Sequence, residues 1–316
     1  MSGTGLRVLL ILLALPAVAG AQVGKRNFIE PLIVEDPNPG NQLDLIPNWV
    51  AVAEGSNFSF NFTLEKTLSE NSSIELGNAW NDPSCNPGFI CLAAGSSRRS
   101  RSRHQQANSN KSSQQLLTGF HDLEVLPKYA FYRSDEHETR LAIGLDTFLP
   151  IGNRTAGGTT HAFIGPIFMF ARGLGDIPNQ GFEKYLRPLA VQGELAYLIK
   201  VSGRQNDNPI ADWDISYELS YLTDKVSDFG LPSIVNNLAP FAEFSYEQIV
   251  NGPQGGTQPN LLVLPGLAYV APAYQVSLAT EFALNQATVS NCHAAVFGML
   301  SLTLDQLFPQ AAWTLF

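Results

Sequence analysis

Polar and apolar residues alternate with a period of two through much of this chain. From Phe58 to Glu65 every even position is apolar and every odd one polar. From Asp212 to Tyr221 the odd positions carry Trp213, Ile215, Tyr217, Leu219 and Tyr221, and the even ones carry Asp212, Asp214, Ser216, Glu218 and Ser220. Successive side chains of a strand point to opposite faces, so one face is oily and the other strongly charged. A soluble sandwich also alternates, but it turns its charge toward bulk water. Aromatic-rich alternating strands behind an export signal suit a membrane barrel, with lipid outside and a polar interior.

The pattern predicts strands near 43–53, 57–66, 73–81, 120–131, 139–149, 162–173, 187–200, 210–222, 237–249, 260–271, 274–284 and 294–305. The fold class is therefore all-β, a transmembrane antiparallel β-barrel of about twelve strands. An even strand number puts both termini on one side. The tight turns at 68–71, 134–137 and 272–273 then share the periplasmic side, and the long insertion at 82–114 falls outside. The connections at 174–186 and 223–236 are long for periplasmic turns.

Arg7, the apolar run from Val8 to Leu15 and the small residues Ala19-Gly20-Ala21 read as a secretory signal over 1–21. Residues 22–42 are too rich in proline for a sheet ladder (Pro31, Pro37, Pro39) and are expected to form a periplasmic segment or a plug in the barrel mouth. The barrel then spans 43–316. The terminal Phe316 resembles the signal that outer-membrane barrels present to their assembly machinery, although Pro309 interrupts that strand. The expected partners are outer-membrane lipid, the barrel assembly machinery and a small solute of unidentified structure.

The formal charge is −9, which argues against nucleic acid as a partner. Charged residues make up 15% of the chain, low for a soluble protein, and mean hydropathy is near zero because half of each barrel strand is polar. Cys85 and Cys91 share one segment, where a disulfide is compatible with an oxidising compartment; no histidine or further thiol offers a metal set there. The run Arg98-Arg99-Ser100-Arg101-Ser102-Arg103-His104 reads as a solvated loop, or more sharply as a contact for surface polyanions.

A specific likeness lies in residues 119–155. Gly119-Phe120-His121-Asp122, followed by Lys128-Tyr129, resembles the "G-x-x-D-x-x-x-x-x-K-Y" strand of the bacterial outer-membrane family called MetA-pathway of phenol degradation. Leu149-Pro150-Ile151-Gly152 is similar to that family's "L-P-T-G" strand end, with Ile151 as a departure. The resemblance implies a transporter barrel for hydrophobic or aromatic compounds.

Alternation assigns faces. Leu123, Val125, Pro127, Tyr129 and Phe131 point outward, as do Leu141, Ile143 and Leu145. The inward positions, expected to line the lumen, are Glu65, Glu75, Asp122, Glu124, Lys128, Arg140, Asp146, Gln192, Glu194, Lys200, Asp212, Asp214, Glu218, Glu243, Glu247 and Glu281. Twelve are acidic and three basic, so the interior is net negative. Two readings stand. Either the acids pair with Lys128, Arg140 and Lys200 in a filled interior, or a wet passage favours cations and neutral polar solutes. A pair between Lys128 and Asp146 on neighbouring strands is one expected contact. Trp80, Tyr129, Phe131, Tyr132, Trp213, Tyr221, Tyr246 and Tyr274 suit interfacial girdles.

Catalysis is not expected, nor is a cofactor or a metal. His121 and Asp122 are adjacent in a predicted strand and should face opposite ways. No Gly-x-Ser-x-Gly elbow or phosphate-binding glycine signature occurs.

Overall fold

The computed structural model describes residues 26, 28–52, 55–82, 118–153, 161–201, 207–251, 258–289 and 294–309. The leader, Cys85, Cys91, most of the 82–114 insertion and the terminal Phe316 lie outside the described residues.

Alternation delivers thirteen strands: β1 (Gln42–Val52), β2 (Gly55–Ser69), β3 (Ser72–Asp82), β4 (Gly119–Phe120), β5 (Leu123–Ser134), β6 (Thr139–Leu149), β7 (Phe163–Gly173), β8 (Leu189–Lys200), β9 (Asn208–Tyr217), β10 (Leu238–Glu247), β11 (Asn260–Val270), β12 (Tyr274–Ala283) and β13 (Ala294–Thr303). Every neighbour is antiparallel. β1 pairs with β13 as well as β2, and β2 pairs with β3, so the sheet closes on itself and leaves no edge. β4 is the start of the β5 stave, broken at 121–122, and the wall therefore has twelve staves. Among the described residues no helix is long and apolar enough to cross a membrane; this chain crosses with strands.

The outward face is apolar. Leu278, Leu195 and Tyr129 are 60%, 54% and 51% exposed, and Ile143, Leu145, Trp213 and Ile215 are exposed beside them. Such a belt is costly in water and stable in lipid. Outward cations occur only near the strand ends among the described residues named here. Arg133 pairs with Asp135, and Arg172 with Asp176, beside the 135–138 turn. A cation at the bilayer midplane would cost about 2–4 kcal/mol, and at the rim much less.

The end carrying the start of β1 and the end of β13 also carries the short turns at 70–71, 135–138 and 271–273, as the parity of the strands requires. The connections 174–188 and 218–237 at this same end are long and contain short helical turns. The strand expected over 210–222 stops at Tyr217, and the chain turns helical from Leu219. Alternation alone cannot mark that stop, because Leu219 and Tyr221 continue the apolar parity.

Candidate functional site

Every inward position named from the sequence is buried except Lys200, which is half-buried. Pairing registers set the acids in rows across β8, β9 and β10. Gln192, Asp214 and Glu243 are cross-strand partners, and the next row is Glu194, Asp212 and Ser245. Glu65 sits opposite Glu75. Two named acids are not rungs of the wall. Asp122 lies in the break between β4 and β5, and Glu218 lies beyond the end of β9.

The interior is not uniformly polar: beside the acids it carries two apolar sectors that alternation did not mark. One apolar sector comprises Ile46 of β1, Phe241 of β10, Leu262 and Leu264 of β11, and Phe297 and Met299 of β13. A second comprises Leu126, Phe148, Phe163, Ile167, Met169 and Leu198. The members on β7 and β11 were hidden because those strands are apolar at both parities, which reads as continuous rather than alternating hydrophobicity.

The proline-rich segment also contributes to the interior. Pro31, Pro37 and Pro39 lack the N–H donors of a ladder, and the segment joins no strand. Its backbone groups go instead to inward side chains. Gln192 Nε2 donates to Ile29 O at 2.8 Å. Glu30 N–H donates to Gln275 Oε1, and Gln275 Nε2 donates to Glu30 O. Leu32 and Ile33 N–H donate to the two oxygens of Glu243 at 2.6 and 2.7 Å. Glu35 N–H donates to Glu194 Oε2 at 2.8 Å, and Gly40 N–H to Glu65 Oε1 at 3.2 Å. The side chains of Ile29, Leu32, Ile33 and Val34 are buried within the first apolar sector. The segment thus enters at the terminus end, rises to mid-barrel and returns to Asn41, whose amide donates to Asp305 and whose side-chain oxygen accepts from Lys66.

Arg26 fixes the entry. Its Nε donates to Glu218 Oε1 at 2.9 Å and one terminal nitrogen to Glu138 Oε2 at 3.0 Å; both terminal nitrogens also reach the carbonyls of Arg187 and Pro188. The Tyr221 ring lies 4.6 Å from the guanidinium carbon, and Tyr221 donates its hydroxyl proton to Glu138 Oε1. Tyr221 is therefore not a girdle aromatic, and neither is Tyr274, which is buried and stacked on Tyr269. Burial pushes the Glu218 carboxyl up to about 7, with Arg26 pulling against that rise.

Lys128 is fully buried. Its ammonium lies 3.0 Å from Glu65, 3.4 Å from Glu75 and 4.0 Å from Glu35 of the inserted segment. The cation expected to serve Asp146 thus reaches across β3 and β2; its partner on β6 is Gly144.

The two halves of the sequence motif meet. Gly152 N–H donates to Asp122 Oδ1 at 3.1 Å, and Asn153 N–H donates to Phe120 O at 2.8 Å. A Cβ at Gly152 would run into the backbone of His121 and Asp122. The chain leaves the strand at 121–122, and both His121 and Asp122 are buried there.

No protein-family model matches the chain, and no curated protein matches it. Among solved structures it is similar to the COG4313 outer membrane channel from Pseudomonas putida F1, with TM-score 0.52 and 11% identity over 87% of this chain and 99% of that one. It is also similar to the NanC porin (TM-score 0.48, 8% identity, 83% and 98% of the two chains) and to the KdgM porin (0.46, 8%, 83% and 98%). At such identity the first likeness speaks to fold alone: the wall is a closed antiparallel β-barrel like that of an outer-membrane protein.

Proposed function

We propose that the protein is an outer-membrane channel for small solutes, closed at rest by its own residues 28–41. The observation that carries this is the seating of the segment. It is held by side chains at Gln192, Glu194, Glu243, Gln275, Glu65 and Lys128, and by Arg26 at the rim, with no strand pairing to the wall. A structure anchored by single side chains can shift without opening the barrel. The terminus end faces the periplasm in this reading, following the usual placement of barrel termini.

The apolar sector under Leu32 and Ile33 supports a solute with hydrophobic or aromatic surface. That agrees with what the 119–155 likeness to the MetA-pathway family implies. Ion conductance across a planar bilayer tests the reading. The full chain should show small or rare steps, cation-preferring in a salt gradient. Gln275→Ala combined with Arg26→Ala should show steady ones. Folded, inserted double variant without conductance would overturn the channel and leave a closed barrel acting through its external loops.

A further inference from the structure

The inserted segment presents two chemistries to two walls. Its backbone N–H groups at Leu32, Ile33 and Glu35 face the acids Glu243 and Glu194, while its side chains at Ile29, Leu32, Ile33 and Val34 pack on Ile46, Phe241, Leu264 and Phe297. Mid-barrel is therefore a site that takes a donor-bearing, positive edge on one side and an aliphatic body on the other. We infer that this is a solute subsite, that it selects organic monocations with a short apolar tail, and that the segment occupies it as a competitor for the same groups.

The geometry explains each part of the preference. Two donors converge on the two oxygens of Glu243, and an alkylammonium group supplies three donors and a full charge to replace them. Asp214 stands directly across the strand pair from Glu243, and Asp212 next to Glu194, so that wall offers acceptor oxygens to an ammonium head and no cationic partner to a carboxylate head. An inorganic cation can meet the acids but cannot replace the aliphatic contacts of Leu32 and Ile33. The tail buries CH₂ groups against the aliphatic sector, which is where an organic cation gains over potassium. This inference rests on the channel reading in calling the ligand a solute.

Hydrogen exchange of the segment's own amides reads the competition directly. The full-length protein in lipid bilayers is exposed to hexylammonium chloride, sodium hexanoate, hexanol or potassium chloride at one concentration. Hexylammonium should speed exchange at the Leu32 and Ile33 amides about tenfold, since both lose their acceptor. The other three should leave it near the untreated rate. Glu243→Gln should lose the distinction between hexylammonium and hexanol.

Equal effects of hexylammonium and hexanoate, or no effect of either, would overturn the inference, and the unmodified protein suffices for that comparison. Conductance on the same preparations separates the two readings. Steady flux without amine-selective exchange removes the subsite and leaves the channel. Amine-selective exchange with no flux even in the loosened double variant keeps the binding site and removes the channel.

Discussion

Arg26 and Glu218 lie 192 positions apart and meet at 2.9 Å at the terminus end of the barrel. The pair ties the start of the inserted segment to the loop after β9, and Glu138 extends the tie to the turn between β5 and β6. Arg26→Ala is expected to free the lower part of the segment without opening the wall. Amides near Glu30 should exchange faster, and conductance events in a bilayer should lengthen. Arg26→Lys should fall between, because one ammonium cannot reproduce the guanidinium fork that serves two carboxylates and two carbonyls. Equal exchange in all three proteins would show that the rim contact holds nothing.

The same carboxylate gives the barrel a pH signature. Burial raises Glu218 from 4.5 to about 7 in the folded protein, so the folded state holds that proton more tightly than the unfolded chain. Its contribution to stability is then complete below pH 4.5 and is lost as pH rises through 7. The size follows from the shift, on the order of 3 kcal/mol. Urea midpoints followed by tryptophan fluorescence should therefore fall between pH 4.5 and 7, and Glu218→Gln should flatten that fall. A steeper fall in the variant would mean that the Arg26 attraction, not burial, dominates.

Gly152 is required by the close approach of the 150–153 segment to the β4–β5 break. Its Cβ position is filled by backbone of His121 and Asp122, which cannot move as a side-chain tip can. Gly152→Ala should destabilise by roughly 1–3 kcal/mol. Ile151, 69% exposed, departs from the family-like pattern at no structural expense, and Ile151→Thr should change stability by less than about 0.5 kcal/mol. Thermal midpoints of the two variants in one detergent make the comparison.

The wall was largely legible in the sequence because a closed barrel imposes period two on every stave. Trp213 and Asp214 sort to opposite faces on sight. What stayed hidden depends on contacts distant in sequence. Arg26 lies in a segment with no period of its own, and its partners come from three separate connections. Tyr221 continues the parity of β9 but belongs to a helical turn, since parity carries no information about where a strand stops. His121 and Asp122 break the alternation through a local interruption fixed by Gly152, thirty positions away. The apolar sectors inside β7 and β11 escaped because a strand buried against protein on one face and lipid on the other has no polar side to reveal it.

Lys128 is the internal cation most exposed to loss by substitution. Glu65 and Glu75 of the wall and Glu35 of the inserted segment all converge on its ammonium. Removing the charge leaves three buried carboxylates around an apolar gap, and breaking a buried pair of this kind typically destabilises by about 3–5 kcal/mol. Lys128→Met should therefore lower the urea midpoint sharply and also speed exchange at Glu35, since Lys128 holds that residue and donates to Asp36 O at 3.4 Å. Adding Glu75→Gln to Lys128→Met should recover part of the loss by relieving repulsion between Glu65 and Glu75. A barrel whose stability is indifferent to Lys128→Met would show that the acids already share protons among themselves and that the lysine serves only the inserted segment. The exchange rate at Glu35, measured on the same sample, separates those two roles.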